Sequence, residues 1–115
     1  MNNWNIIRDR YLRDTLSIRL GGLAANLSRI KSFSDHPDHD EAIKRLIEES
    51  KFFIEWTASE TEVKVAAELV ELQIQLALWQ HDWEDIWSDK KKRTKIAEQA
   101  DHWSKCVLDM SGLLR

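Results

Sequence analysis

Apolar residues recur along this chain at intervals alternating between four and three, and four runs of this kind divide it. The first runs from about residue 3 to 33, where Leu16, Leu20, Leu23, Leu27 and Ile30 fall on one helical stripe. The second covers about 38 to 57, with Ile43, Leu46, Ile47, Phe53 and Ile54 on its inner face and Phe52 and Trp56 flanking that face. The third, about 60 to 88, carries Val65, Leu69, Leu72, Leu76, Trp79, Trp83 and Ile86 without a miss. It also carries a second apolar row, Val63, Ala67, Val70, Ile74 and Ala77, which His81 continues. Only a narrow polar stripe remains, Lys64, Glu68, Glu71, Gln75 and Asp82. Two apolar rows predict a helix buried on most of its circumference, either central in a bundle or at a dimer interface. The fourth run, about 90 to 113, repeats the alternation at Ile96, Ala100, Trp103, Val107, Met110 and Leu114.

The breaks between these runs have chemical causes. Pro37 cannot continue a helix but suits the first turn of a new one, with His36 or Asp38 as its cap and Asp40 and Glu41 at the positive end of its dipole. Ser59 and Glu62 have capping-box spacing, as do Thr57 and Glu60. Gly21 and Gly22 lie inside the first run and favour a close helix crossing over a kink or the approach of a ligand. Four amphipathic helices with short connections predict an all-α fold, a four-helix up-and-down (antiparallel) bundle forming one domain over 1–115. Such a topology gathers His36, Asp38, His39, Asp40, His81, Trp83, Asp85, Trp87 and the basic stretch 90–95 at one end. Trp4, Tyr11, Phe52 and Trp56 collect at the other.

Composition agrees with this picture and narrows the partners. Only three glycines and one proline occur in 115 residues, too few turn-formers for a strand-rich protein. The net charge of −3 gives no general attraction to nucleic acid or anionic lipid. A single cysteine, Cys106, forms no internal bridge, and with the polar start "MNNWNIIRDRY" this predicts a reducing, cytoplasmic setting without a leader peptide. No apolar stretch approaches the length of a membrane span.

The candidate chemistry is sparse. His36, His39, His81 and Asp85 are the residues that a zinc or non-haem iron ion would accept, and His81 and Asp85, four apart, share a helix face. They match no established ligand spacing, and no cofactor is expected. The acidic pairs Glu68/Glu71 and Asp82/Asp85 lie on one predicted helix about 20 Å apart, too far to share an ion. Lys90, Lys91, Lys92 and Arg93 form a candidate anion-binding run, but Asp82, Glu84, Asp85 and Asp89 precede it, so nucleic acid is not favoured. Cys106, with Lys105 and Asp109 nearby in sequence, reads as a structural or partly buried thiol. Six tryptophans exceed what a small bundle core obviously needs, and Trp4, Tyr11, Phe52, Trp56 and Trp87 are the candidate interface anchors. The sequence thus points to a non-enzymatic interaction protein, a homodimer or a subunit in a complex with another protein. The alternative is a small-molecule or metal-binding bundle, an enzyme included, with its site formed by the 36–40 turn and the end of the third helix.

Overall fold

The computed structural model describes residues 3–113, and among these the regular structure is entirely helical. Six α-helices follow one another: α1 (Trp4–Tyr11), α2 (Leu16–Phe33), α3 (Asp40–Thr57), α4 (Val63–His81), α5 (Trp83–Trp87) and α6 (Lys90–Ser111). Short 3-10 turns at Pro37–His39 and Ala58–Glu60 join α2 to α3 and α3 to α4. Where four helices were expected there are six, because two of the predicted segments are divided.

The first division falls at residues 12–15. Thr15 adopts an extended conformation and its hydroxyl accepts a hydrogen bond from the Ile18 amide, so α2 begins afresh there. The four-three seam in fact starts only at Leu16, and the preceding eight-residue α1 folds back against α3. Trp4 packs on Phe52 and under the guanidinium of Arg45, while Tyr11 stacks on Phe53. The second division is at Asp82, which separates α4 from the single turn and a half of α5 and sets Trp83 and Trp87 over the start of α3.

The main seams are as the periodicity predicts. Leu20, Leu23, Leu27 and Ile30 of α2, Ile43, Ile47 and Ile54 of α3, Leu69, Leu72 and Leu76 of α4, and Ile96, Ala100 and Val107 of α6 are all buried in one hydrophobic cluster. Leu114, the last member of the predicted fourth seam, lies outside the described residues. Polar contacts tie the long helices to one another. Lys31 meets Asp101 and Ser104 meets the Ala24 carbonyl across α2 and α6, Asn26 meets Glu49 across α2 and α3, and Lys51 meets Gln80 across α3 and α4.

The central helix is α2 and not α4. It makes its most extensive contacts with α6 and the next most with α3, and small residues allow this. A Cβ on Gly21 would lie 2.7 Å from Leu113, and Ser104 reaches the backbone oxygen of Ala24 at 2.8 Å. With α2 in the middle, α4 is left at the margin, docked mainly on α3. The expectation that two apolar rows bury α4 on most of its circumference is therefore corrected, since among the described residues no element covers the second row.

Candidate functional site

The end predicted to collect chemical groups does bring the 36–40 turn to the tryptophans. Trp83 donates its indole N–H to Asp40 Oδ1 at 2.6 Å, and Trp87 donates to the Pro37 carbonyl at 2.8 Å. The two indoles stack with centroids 5.1 Å apart. Arg93 lies over the Trp87 ring and donates to the Trp87 carbonyl at 2.6 Å. Lys92 is paired with Asp85 at 2.5 Å, and Asp89 caps α6 through the Lys91 amide. The Asp85 carboxylate, by its hydrogen bond, raises the pKa of Lys92. The acids thus answer the charge that crowds the positive end of the α6 dipole. Of the candidate anion-binding residues, Lys92 and Arg93 are already engaged within the chain. Lys90 and Lys91 stand on the exposed first turn of α6.

The metal candidates do not converge. Among the described residues no three His, Cys, Asp or Glu side chains are grouped to hold an ion. His36 accepts from the Asp38 amide and caps the 3-10 turn, and His39 Nδ1 lies 3.0 Å from the Phe33 carbonyl. The two rings are neighbours, with centroids 5.5 Å apart. His81 is elsewhere: its side chain is 83 % exposed and faces Asp82 at 2.9 Å. Asp85 is taken up by Lys92. Each candidate is thus occupied by a different neighbour, and α4 ends between His81 and Asp85.

The aromatic residues at the other end are tied to one another. Tyr11 is buried, stacked on Phe53 at 3.9 Å, and donates its hydroxyl to the Arg19 carbonyl at 2.7 Å. Burial pushes its pKa up to about 12, against the opposing pull of the Thr57 hydroxyl and the Arg19 charge. Trp4, Phe52 and Trp56 form a half-buried stack beside it. Of the candidate interface anchors, Tyr11 is thus a core residue, and Trp4, Phe52, Trp56 and Trp87 are half-buried against their own chain.

Two groups stand out: Arg19, which the sequence did not single out, and Cys106, for which no neighbouring histidine was expected within its helix turn. Arg19 is almost wholly buried and binds three elements together. It donates to the Asp14 and Leu12 carbonyls of the 12–15 turn and to Glu60 at the start of the α4 connection. No periodic signal marks such a residue. Cys106 Sγ lies 3.6 Å from His102 Nε2 on the α6 surface, a pairing that the four-residue spacing of the two makes legible.

The unspent apolar surface lies on α4. Val63 is 88 %, Val70 51 %, Ile74 56 % and Leu78 52 % exposed, and Ala67 and Ala77 are exposed between them. Beside it, a cleft of about 560 Å³ opens where the N-terminal halves of α2 and α4 meet the end of α6. Its floor is Leu16, Leu20, Val65 and Met110, and Glu62, Lys64, Glu68 and Asp109 rim it. No described helix is long and apolar enough to cross a membrane. No protein-family model, curated protein or solved structure matches this chain.

Proposed function

We propose that the chain is a non-enzymatic interaction module, working as a homodimer or as a subunit of a larger protein assembly. In this reading residues 1–115 are one domain whose four long helices form an up-and-down bundle, held in a cytoplasmic setting. The observation that carries the reading is the outer row of α4, where Val63, Val70 and Ile74 stand at least half exposed, with the equally exposed Leu78 beside them. Scattered apolar residues are ordinary on a protein surface, whereas a continuous stripe of them is the usual mark of a docking face. Trp4 and Trp56 pack one end of this module and Trp83 and Trp87 the other, while Trp79 is spent in the core, which leaves the outer side of α4 free to present its row. Against the alternative of a ligand site near the 36–40 turn stands the use of both indole N–H groups there inside the chain.

The test is the native mass of the chain expressed at its normal level in its own cells, compared with Val70→Ser/Ile74→Ser. The wild type is expected in an assembly heavier than its own 13.6 kDa, and the variant at that mass. A wild-type chain that already runs as a free 13.6 kDa species sinks the reading.

A further inference from the structure

We infer that the occupant of the outer row of α4 is the same row of a second copy of this chain, with the two α4 helices antiparallel; this rests on the interaction reading above. The row Val63, Ala67, Val70, Ile74, Ala77 and His81 keeps the four-three alternation over the 19 residues of α4, about 27 Å of helix. A repeat of 3.5 residues, kept on the face that the fold leaves open, is the pattern that another helix needs in order to interdigitate. A bilayer surface makes no such demand, and the flank carries Glu68 and Glu71 with Lys64 as its one base, not the basic rim that anionic lipid attracts.

The row is also complementary to itself. It is nearly palindromic about Leu72, so that turning one copy end for end sets Val70 against Ile74, Ala67 against Ala77, and Val63 against His81 of the second copy. Large residues then face large ones, and the alanine layers let the two backbones approach closely. A parallel pair would instead stack His81 on His81 and align both helix dipoles in the same direction. The antiparallel pair has one unfavourable feature: Glu71, flanking the row near the two-fold axis, faces Glu71 of the second copy, while Gln73 faces Gln73 on the other flank. Two such stripes bury roughly 1,000 Å² in total, the lower end of specific interfaces, which matches a dimer of modest affinity.

Sedimentation of the purified chain over a wide concentration range tests this. The wild type is expected to dimerise with a dissociation constant on the order of 10 μM, as its modest interface implies. Val70→Ser/Ile74→Ser should be monomeric with an unchanged helical spectrum, and Glu71→Gln should tighten the dimer severalfold. In a Cys106→Ser background, oxidation should cross-link Gln73→Cys across the axis. Ala77→Cys, about 15 Å along the axis from its mate, should not cross-link. Cross-linking through Ala77→Cys without Gln73→Cys, or a dimer indifferent to Glu71→Gln, overturns the antiparallel pairing. A purified wild type that stays monomeric at several hundred micromolar overturns self-pairing. If the native assembly still dissociates on Val70→Ser/Ile74→Ser, the interaction reading stands without it.

Discussion

Arg19 and Glu60, forty-one positions apart in the chain, meet at 2.7 Å, with the arginine side chain only 10 % exposed and the glutamate half exposed. Through this pair and two carbonyl contacts, one guanidinium fixes both the 12–15 turn and the connection into α4. Arg19→Ala is expected to destabilise the protein by about 3 kcal/mol, since several acceptors lose their donor at once. Arg19→Lys should recover only part of that, because a single ammonium cannot span the same fork of acceptors. Glu60→Gln should cost less than about 1 kcal/mol, as expected for a half-exposed partner. Urea unfolding of the three variants checks the order, and an Arg19→Ala protein within about 0.5 kcal/mol of wild type would remove Arg19 from this role.

Tyr11 is the only tyrosine in the chain, so its ionisation can be followed by phenolate absorbance without interference. Its folded pKa of about 12 stands above the ordinary 10.0 because burial disfavours the phenolate. A raised value means that the folded state holds the proton more tightly than the unfolded chain does. The associated stability is complete below pH 10 and is lost as pH rises from 10 through 12, at about 1.4 kcal/mol per unit. Tyr11→Phe should flatten that decline, and at neutral pH should cost about 1 kcal/mol for the lost hydrogen bond to the Arg19 carbonyl. Titration of the wild-type phenol near 10.0 in the folded protein would contradict the prediction.

Two glycines should respond to alanine with opposite signs. Gly22 sits within α2, and a Cβ there would meet Tyr11 at an ordinary 3.7 Å, so Gly22→Ala should stabilise by about 0.5–1 kcal/mol through helix propensity. Gly112 ends α6 in the left-handed region with φ +74°, and its Cβ would meet nothing within 4 Å. Gly112→Ala should therefore cost about 1 kcal/mol from backbone strain alone. Thermal melts of the two variants should move in opposite directions, and a shared direction would refute the assignment.

Trp83 and Trp87 stack on each other, yet their substitutions should differ. Trp83→Phe removes the bond to the Asp40 carboxylate from a buried ring and is expected to cost about 2 kcal/mol. Trp87→Phe removes a bond to a solvent-facing carbonyl and should cost about half as much. Denaturant midpoints compare the pair, and equal losses would mean that ring packing and not the indole donor dominates there.

Much of this fold was legible residue by residue. A helix puts every third and fourth residue on one side, so the spacing of Leu69, Leu72, Leu76 and Trp79 alone marks them as one face, and all four are buried. The stop at Pro37 and the answering of the basic run by Asp85 and Asp89 follow from local rules of the same kind. The turn at 12–15 was missed because its chief support, Arg19, gathers acceptors from two turns far apart in sequence, Leu12 and Asp14 in one and Glu60 in the other, and no local pattern encodes that. Where the four metal candidates stand was not legible for a related reason: His36 and His39 are taken up within the 36–39 turn, His81 beside Asp82 and Asp85 with Lys92, and spacing along a helix does not show such partners.

Periodicity by itself determined that α4 has two apolar faces. Which of them would be covered depended on where the other helices settled. Gly21 and Ala24 let α2 close up on α6, which placed α2 at the centre and α4 at the margin with Val70 and Ile74 facing outward. A sequence specifies the side of a helix that avoids water through the chemistry of its own residues. Whether another element of the same chain stands there is a property of the whole packing, and only the tertiary structure decided it.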